Sequence, residues 1–319
     1  MKIWSIVTPE NEVEIEVSKK TLLYKQHYEW KLLTEHINNY FNVRNSTVEI
    51  YEDGIPLNKK DWKCFFIPFD VNIQLSKITA SSPLKEIQNN ITEQLTFSPL
   101  YDELQELWEQ IDGELEFINQ KLKKWRIQSK LNPIDKKAIS QFINFQPTLD
   151  NKLSPLEVKE LLINIILEGN MDKKTLIIVE LPELFSTEKE LQKFNSIIDQ
   201  AIDRGYQFMF ISNHKLFGIG NYLFKNKIVH SAMLEQIKQK VCNEVPFYCS
   251  EKLFEEAKNL FLRLVDNSIS EEDLLQLSGN DFGVIITIIH VIMYNLDIDP
   301  IQVPQGLEPN LKKFISNLQ

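Results

Sequence analysis

The chain has 319 residues, of which 43% are apolar and 25% charged, a composition ordinary for a globular protein of one large or two medium domains. Its net charge of −10 at pH 7 repels phosphate, so any nucleic-acid surface must be a local basic patch. Cys64, Cys242 and Cys249 form no CxxC pair. This excludes a four-cysteine zinc site and is typical of a reduced, cytoplasmic protein.

No segment predicts a secretory leader or a membrane span. The N-terminal apolar run is too short for a leader. The longest apolar run, Phe282–Leu296, falls short of the roughly 20 residues needed to cross a bilayer. It also contains His290 and Asn295. We therefore expect a buried helix there and no membrane partner.

Three short strands are predicted in residues 1–25. The stretch from Glu12 to Val17 alternates between glutamate and an apolar residue, as a half-buried strand does. Thr21–Tyr24 is a short apolar run, and a helix is predicted to continue from it to about Tyr40. A strand, a loop and a helix in this order are where P-loop NTPases carry the motif G-x-x-x-x-G-K-[ST].

The phosphate-binding motif is degraded in this chain. Aligning the motif with Lys25–Leu32 preserves only its lysine, as Lys31. Both glycines are missing, and their backbone freedom is what lets N–H groups converge on a phosphate. Leu32 stands where a hydroxyl would bind Mg²⁺. We expect no nucleotide to bind here and interpret Lys31 as a solvated helix residue.

A β-hairpin is predicted next, with strands at Thr47–Tyr51 and Cys64–Phe69 and a turn at Asp53-Gly54. Antiparallel strands beside a parallel sheet are typical of the mixed sheet in an ABC- or SMC-type head. The character of the chain changes near Ser82, where a mainly helical stretch begins.

A long helix with a coiled-coil seam is predicted from about Pro99 to Arg126. Its apolar residues alternate in steps of three and four, the period of a coiled coil, and are Tyr101, Leu104, Trp108, Ile111, Leu115, Ile118, Leu122 and Trp125. Such a seam needs a partner, and the best local candidate is Ser154–Leu167, a helix with a capping box. We expect residues 82–170 to project from the head as a helical arm.

Charge is segregated along this helix. Its first part carries seven acidic residues, and its end carries the basic residues Lys121, Lys123, Lys124, Arg126 and Lys130. The helix dipole favours this order but acts only over the first and last turns. The basic cluster is therefore a candidate for phosphate contacts, while the acids offer oxygen ligands for a hard cation without EF-hand spacing.

A βαβ unit is predicted between Lys174 and His214. Thr175–Val179 is an unbroken apolar run that ends in Glu180, Thr187 and Glu190 begin a helix with a capping box, and Phe208–Ile211 is a second buried strand. A carboxylate at the end of the first strand is what P-loop NTPases use to hold Mg²⁺. Glu180 and Lys31 therefore mark the degenerate nucleotide site.

Other catalytic signatures are missing from the sequence. There is no HExxH, GxSxG or glycine-rich dinucleotide loop. Glu180, Glu183 and His214 are the only polar residues placed where a catalytic group would stand, and a structural role is the favoured interpretation of each. We expect no enzymatic activity. Four helices are predicted in the C-terminal region, near Glu251–Leu264, Glu271–Leu277, Phe282–Leu296 and Asn310–Leu318.

The expected fold class is α/β, with a mixed-sheet head like that of P-loop NTPases, a degenerate phosphate loop and an α-helical extension. Residues 1–81 and 171–230 are expected to form a discontinuous head, 82–170 the helical arm, and 231–319 a helical region packed on the head.

With these features the chain resembles the long form of the accessory spacer-acquisition protein of type II-A CRISPR loci. The resemblance lies in the N-terminal strands leading to Thr21–Lys31, the helical excursion, and the stretch Thr175–Glu190 followed by Phe208–Ile211. It extends over about residues 2–265.

The resemblance implies a non-enzymatic protein that binds Ca²⁺ and assembles as a ring-shaped homotetramer. Such a ring threads double-stranded DNA through a positively lined hole and works with the CRISPR integrase and the effector nuclease. No calcium ligand is transferred to a residue of this chain. Two alternatives stay open: an ABC- or SMC-like ATPase with an unusual phosphate loop, and a coiled-coil scaffold that binds no DNA.

Overall fold

The computed structural model describes residues 2–71, 75, 78–79, 81–146, 153–169, 172–276 and 281–318. The chain forms two compact units, residues 1–64 with 171–319 and residues 65–170. The helical unit thus begins at residue 65 rather than at the expected residue 82, and residues 231–319 share a unit with the head. The chain leaves and re-enters the first unit at neighbouring points, since Lys63 Nζ lies 3.1 Å from Asp172 Oδ1.

The described helices and strands follow one another along the chain with a strand-rich beginning and a helical end. They are β1 (Lys2–Val7), β2 (Glu12–Val17), β3 (Lys20–Tyr24), α1 (His27–Asn42), β4 (Glu49–Glu52), β5 (Ile55–Pro56), β6 (Trp62–Ile67), α2 (Leu84–Thr96), α3 (Pro99–Leu122), α4 (Lys136–Phe142), α5 (Pro155–Glu168), β7 (Lys174–Glu180), α6 (Glu188–Asp203), β8 (Gln207–Ser212), β9 (Ile219–Phe224), β10 (Lys227–Val229), α7 (Ser231–Glu244), α8 (Glu251–Val265), α9 (Glu271–Gln276), α10 (Phe282–Asn295) and α11 (Pro309–Leu318).

The α/β class is confirmed, and the strands divide into two sheets. A mixed six-stranded sheet has the order β10-β9-β3-β8-β7-β6, while β2, β1, β4 and β5 form a separate antiparallel sheet. The N-terminal strands β1 and β2 therefore lie outside the sheet that holds the βαβ unit. Asn221 on β9 ties the two sheets together, because its buried amide accepts from the Glu16 N–H at 2.7 Å and donates to the Glu16 carbonyl at 2.9 Å.

The predicted βαβ unit is present as β7, α6 and β8. Strands β7 and β8 pair in parallel, and β3 pairs in parallel with the other edge of β8. The Thr187 hydroxyl accepts from the Glu190 N–H, and the Glu190 side chain accepts from the Thr187 N–H, so the predicted capping box begins α6. The three strands end side by side, since Tyr24 is paired with Ser212 and Glu180 with Ile211.

The predicted hairpin pairing is wrong. The turn at Asp53-Gly54 does reverse the chain, but it joins β4 to the two-residue strand β5. The predicted returning strand is β6, which belongs to the six-stranded sheet. The strands were identified from apolar runs, which do not specify a partner. The short β5 ends at Pro56, whose missing N–H cannot continue the ladder.

The long helix α3 and the predicted capping box of α5 are present, but α5 does not cover the seam of α3. None of the residues of α3 is buried. An extended return segment lies along it instead: Trp108 Nε1 donates to the Asn132 carbonyl at 2.9 Å, and the Tyr101 hydroxyl donates to the Ile134 carbonyl at 2.6 Å. A single extended segment covers one side of a helix, so part of the seam remains open.

The C-terminal helices build a second apolar core within the first unit. Buried side chains of α8 and α10, among them Phe254, Phe261 and Ile289, belong to this core. The run Phe282–Leu296 is the buried helix α10, and no helix in the described part of the chain combines the length and hydropathy that a membrane span requires. Helix α7 and strand β9 are present but were not predicted from the sequence. Leu277, the predicted end of one helix, lies outside the described residues.

Candidate functional site

The edge formed by the carboxyl ends of β3, β7 and β8 is the first place to look for a ligand. Parallel strands of open α/β sheets bind ligands beyond these ends, near the start of the helix that follows. The strands end at Tyr24, Glu180 and Ser212, and α1 begins three residues after Tyr24, at His27. Whether a phosphate fits here depends on the connection from β3 to α1.

That connection contains only two residues, Lys25 and Gln26. Both adopt left-handed conformations, with φ of 56° and 41°, and the turn is held by hydrogen bonds. The Lys25 N–H donates to the Ser212 carbonyl at 3.0 Å, and Gln26 Nε2 donates to the Leu223 carbonyl at 2.9 Å. A phosphate loop must curve around its ligand and offer several N–H groups. Two residues with committed hydrogen bonds cannot do so.

Lys31 is placed on the second turn of α1. Six of the eight residues aligned with the phosphate motif, 27–32, are helical, so the motif has no loop to occupy. Lys31 lies about 6 Å further along the helix axis than His27. The half-buried Lys31 therefore stands on the helix body rather than at the end of β3.

Glu180 is buried, and its carboxylate contacts the imidazole of His27. Only 1% of the Glu180 side chain is exposed, compared with 33% for His27. His27 Nε2 and Glu180 Oε1 form this contact. His27, the first residue of α1, thus occupies the space beside the Glu180 carboxylate, where a Mg²⁺ ion would have to bind. The sequence offered no signal for this pair, because its members are 153 residues apart.

Glu183 and His214, the other two candidates at this edge, bind the surrounding loops. Glu183 accepts from the Ser212 hydroxyl at 2.8 Å and from the Asn213 N–H at 2.7 Å. His214 Nε2 lies 3.0 Å from Glu188 Oε2, and its Nδ1 accepts from the Leu216 N–H at 3.3 Å. Because Nδ1 is an acceptor, the proton is on Nε2 and points to Glu188. These contacts support the structural interpretation of both residues.

Asp266, which was not predicted from the sequence, binds two lysines near this edge. Its carboxylate pairs with Lys215, and its carbonyl accepts from Lys25 Nζ at 3.0 Å. Burial opposes ionisation of Asp266, but hydrogen bonds from Lys215 and Ser268 outweigh it and lower the pKa of the carboxyl below its usual value. Both ammonium groups are therefore committed to Asp266, which reduces the attraction of this edge for a phosphate.

The second candidate site is the basic tip, which we define as Lys121, Lys123, Lys124, Arg126 and Lys130. All five side chains are exposed. Helix α3 ends at Leu122, a 3₁₀ turn follows at Lys123–Trp125, and Arg126 reverses the chain with a φ of 57°. The first four cations thus surround the end of the helix, and Lys130 lies on the return segment.

The basic tip is held in place by Asn119. Its side chain donates to the Ser129 carbonyl at 2.9 Å and accepts from the Ser129 N–H at 2.7 Å and from the Ser129 hydroxyl at 2.8 Å. The return segment is thereby fixed to the last turns of α3. Within the described part of the chain, no carboxylate forms an ion pair with a cation of the basic tip. A cluster of exposed cations without counter-charges is suited to a polyanion.

The described residues contain no group of carboxylates that matches the expected calcium site. Calcium takes six to eight oxygen ligands, and side-chain carboxylates usually supply several of them. Among the residues that the structure describes, no three His, Cys, Asp or Glu side chains converge as a metal site would require. The acidic residues of α3 do not form such a group. Calcium stays a prediction of the resemblance.

Comparisons with known proteins add a general likeness of fold. No family model and no curated protein matches the chain. A Streptococcus thermophilus protein of solved structure, Stu0660, shares 12% identity, with 99% of this chain and 100% of that chain covered and a TM-score of 0.48. The ATP-binding cassette MJ1267 shares 14% identity over 75% of this chain and 94% of its own, with a TM-score of 0.37. CbiO1 of Clostridium perfringens, part of an ABC transporter complex, shares 12% identity over 76% and 96%, with a TM-score of 0.39.

Proposed function

We propose that this chain is a non-enzymatic, sequence-independent binding protein for double-stranded DNA that acts in CRISPR adaptation as a ring-shaped homotetramer. The observation that carries the DNA part is the basic tip, whose five exposed cations lack a carboxylate partner within the described residues. The place in CRISPR adaptation, with the integrase and the effector nuclease as partners, rests on the resemblance to the spacer-acquisition family.

The chain's acidity requires the DNA contacts to be concentrated at such a tip. A molecule with net charge −10 repels duplex DNA except where cations are gathered locally. In a ring of four copies, symmetry brings four basic tips to equivalent positions around one axis. Lysine and arginine contacts to phosphate release counterions, so binding is expected to be independent of sequence and to weaken steeply with salt.

The carboxyl edge of the sheet supports the non-enzymatic part of the proposal. The two-residue turn before α1 leaves no loop for a triphosphate, and His27 occupies the position beside Glu180. An ABC- or SMC-like ATPase needs both of these places free. Calorimetric detection of ATP binding that disappears in Glu180→Gln would contradict this part.

An exposed apolar row on α3 supports self-association. Its five side chains recur in steps of three, four and seven and are between 37% and 70% exposed: Leu104, Ile111 and Ile118 from the predicted seam, with Leu100 and Leu107 beside it. A row of this kind is what one coiled-coil helix offers to another. A second copy of the chain is the partner that the tetramer proposal provides for it.

Reversing two charges of the basic tip tests the DNA-binding proposal. We expect the double variant Lys123→Glu/Lys124→Glu to bind duplex DNA more weakly. The slope of log affinity against log salt should also fall by about 2, because each phosphate contact contributes about 0.9. Fluorescence anisotropy with a labelled duplex at four or five salt concentrations measures both quantities.

The matched control is Lys312→Glu/Lys313→Glu, which reverses another adjacent pair of exposed lysines and changes the net charge equally. It should retain the parent's affinity and slope to within the small effect of overall charge. Equal losses in the two double variants would assign binding to net charge and remove the basic tip from the site. A monodisperse oligomer that binds no DNA at low salt would instead favour the scaffold alternative.

A further inference from the structure

An exposed tryptophan stands at the apex of the basic tip. Trp125 is 60% exposed and belongs to the 3₁₀ turn between Leu122 and Arg126. Contacts between cations and phosphates do not require an exposed indole. An indole left in water also forgoes the favourable free energy that its burial would contribute. A ligand that covers the indole is therefore the feature to identify.

The surroundings of the indole limit what that ligand is. Lys124 Nζ lies 4.0 Å from the centroid of the Trp125 ring, so one face of the ring already carries a cation. The chain on both sides of the turn is fixed by the hydrogen bonds between Asn119 and Ser129. The indole is thus presented by a held turn, and its neighbours in the chain, Lys123, Lys124 and Arg126, are exposed cations.

A flat, electron-rich group attached to a phosphate matches this arrangement. Nucleobases stack on tryptophan irrespective of sequence, and a neighbouring lysine or arginine binds the phosphate of the same nucleotide. A lipid surface matches less well, since membrane anchoring scales with the apolar area inserted. Beside Trp125 only Ile127, which is 59% exposed, adds an apolar side chain at the apex.

We propose that Trp125 stacks on an unpaired nucleobase, so that the basic tip prefers duplexes with a single-stranded tail. The proposal deepens the proposed function and rests on it. Bases inside a duplex have both faces covered by their neighbours, and unstacking one costs free energy. A tail exposes base faces without that cost. Trp125 then selects DNA with frayed or processed ends, while the lysines bind every duplex.

The test compares three ligands that have the same duplex: one with blunt ends, one with a tail of about ten nucleotides, and one with an abasic tail of equal length. The abasic tail keeps every phosphate and removes every base, so it separates stacking from charge. We expect the parent protein to bind the normal tail about tenfold more tightly than the abasic tail, as one stacked base allows. Trp125→Ala should abolish that ratio, and Trp125→Phe should retain part of it.

Ile127→Ala is the matched control, because it removes a similarly exposed apolar side chain two residues away. It should keep the tenfold ratio, and its thermal unfolding together with that of Trp125→Ala shows that both variants are folded. A ratio that survives Trp125→Ala, or that Ile127→Ala abolishes equally, overturns the proposal.

Two further outcomes are distinguishable. If the parent binds none of the three ligands, the proposed function fails and the inference with it. If it binds all three equally, the DNA function stands and only the inference fails. Sedimentation with anionic phosphatidylglycerol vesicles that depends on Trp125, without a tail preference, would assign the apex to lipid and overturn the inference.

Discussion

At the scale of single residues, His290 contributes to how stability depends on pH. This histidine of α10 is 3% exposed, and its Nε2 has no hydrogen-bond partner within the described part of the chain. Burial, assisted by the positive charge of Lys225, lowers its pKa from 6.5 to about 4. The folded protein therefore resists a proton that the unfolded chain accepts.

The sign of the effect follows from this shift. Above pH 6.5 the imidazole is neutral in both states and contributes no pH dependence. As the pH falls from 6.5 towards 4, the unfolded chain takes up the proton first, and about 3 kcal/mol of stability is lost. We expect His290→Leu to remove this part of the slope. Urea unfolding of parent and variant at pH 7, 6, 5 and 4 measures it, and parallel curves would contradict the assignment.

Glutamate and histidine side chains at the sheet edge show why sequence alone left the site undecided. Glu180 was located correctly at the end of a buried strand, because an unbroken apolar run reports where the strand ends. Its contact with His27 links positions 153 residues apart, which no local pattern encodes. The same holds for Asp266, which holds Lys215 across 51 residues.

At the scale of secondary structure, two glycines are expected to respond oppositely to the same substitution. Gly218 precedes β9 with a φ of 110°, and an added Cβ would lie 2.2 Å from the Lys20 carbonyl oxygen. Gly113 lies within α3 and has open space around its Cβ position. Gly218→Ala should lower the free energy of unfolding by about 3 kcal/mol, through backbone strain and displacement of β3. Gly113→Ala should raise it by at most about 1 kcal/mol.

Urea denaturation of the two alanine variants decides this prediction. The midpoint should fall clearly for Gly218→Ala and stay equal or rise for Gly113→Ala. Each variant serves as the other's control for the chemistry of the substitution. If both midpoints moved in the same direction, the close contact between Gly218 and the Lys20 carbonyl would not explain the effect of the substitution.

Periodic and capped elements were predictable, and pairing partners were not. The seam predicted α3 and the capping boxes predicted the starts of α5 and α6, since each signal is contained within one helix. Strand β9 was missed because Gly220 and Asn221 interrupt its apolar pattern. Asn221 is buried for a reason outside its own strand, namely its hydrogen bonds to Glu16 on β2.

At the scale of the whole molecule, a ring that threads DNA must distinguish topologies. We expect the protein to bind a linear duplex and to bind the covalently closed circle of the same sequence hardly at all. A closed DNA circle has no free end over which the protein ring could pass. The linear duplex is made from the same circle by a single double-strand cut, so the two ligands have equal length and charge. Gel-shift titration measures both affinities.

The oligomeric state has to be measured alongside these affinities. Light scattering should give four times the mass of the chain. The substitution Leu107→Glu, within the exposed apolar row of α3, should weaken the tetramer. Phe117→Glu is the matched control, because Phe117 is 72% exposed on the same helix but lies outside that row. Equal binding of circle and linear duplex by an intact tetramer would rule out threading.

The ion pair between Lys63 and Asp172 marks the two points between which the helical residues are inserted. Lys63 Nζ and Asp172 Oδ1 lie 3.1 Å apart, so the backbones at these two residues are within the combined reach of their side chains, a gap that a short bridge of glycine and serine can span. We therefore expect the helical residues that follow β6 to behave as an insertion, whose length can change while the sheet keeps its connectivity.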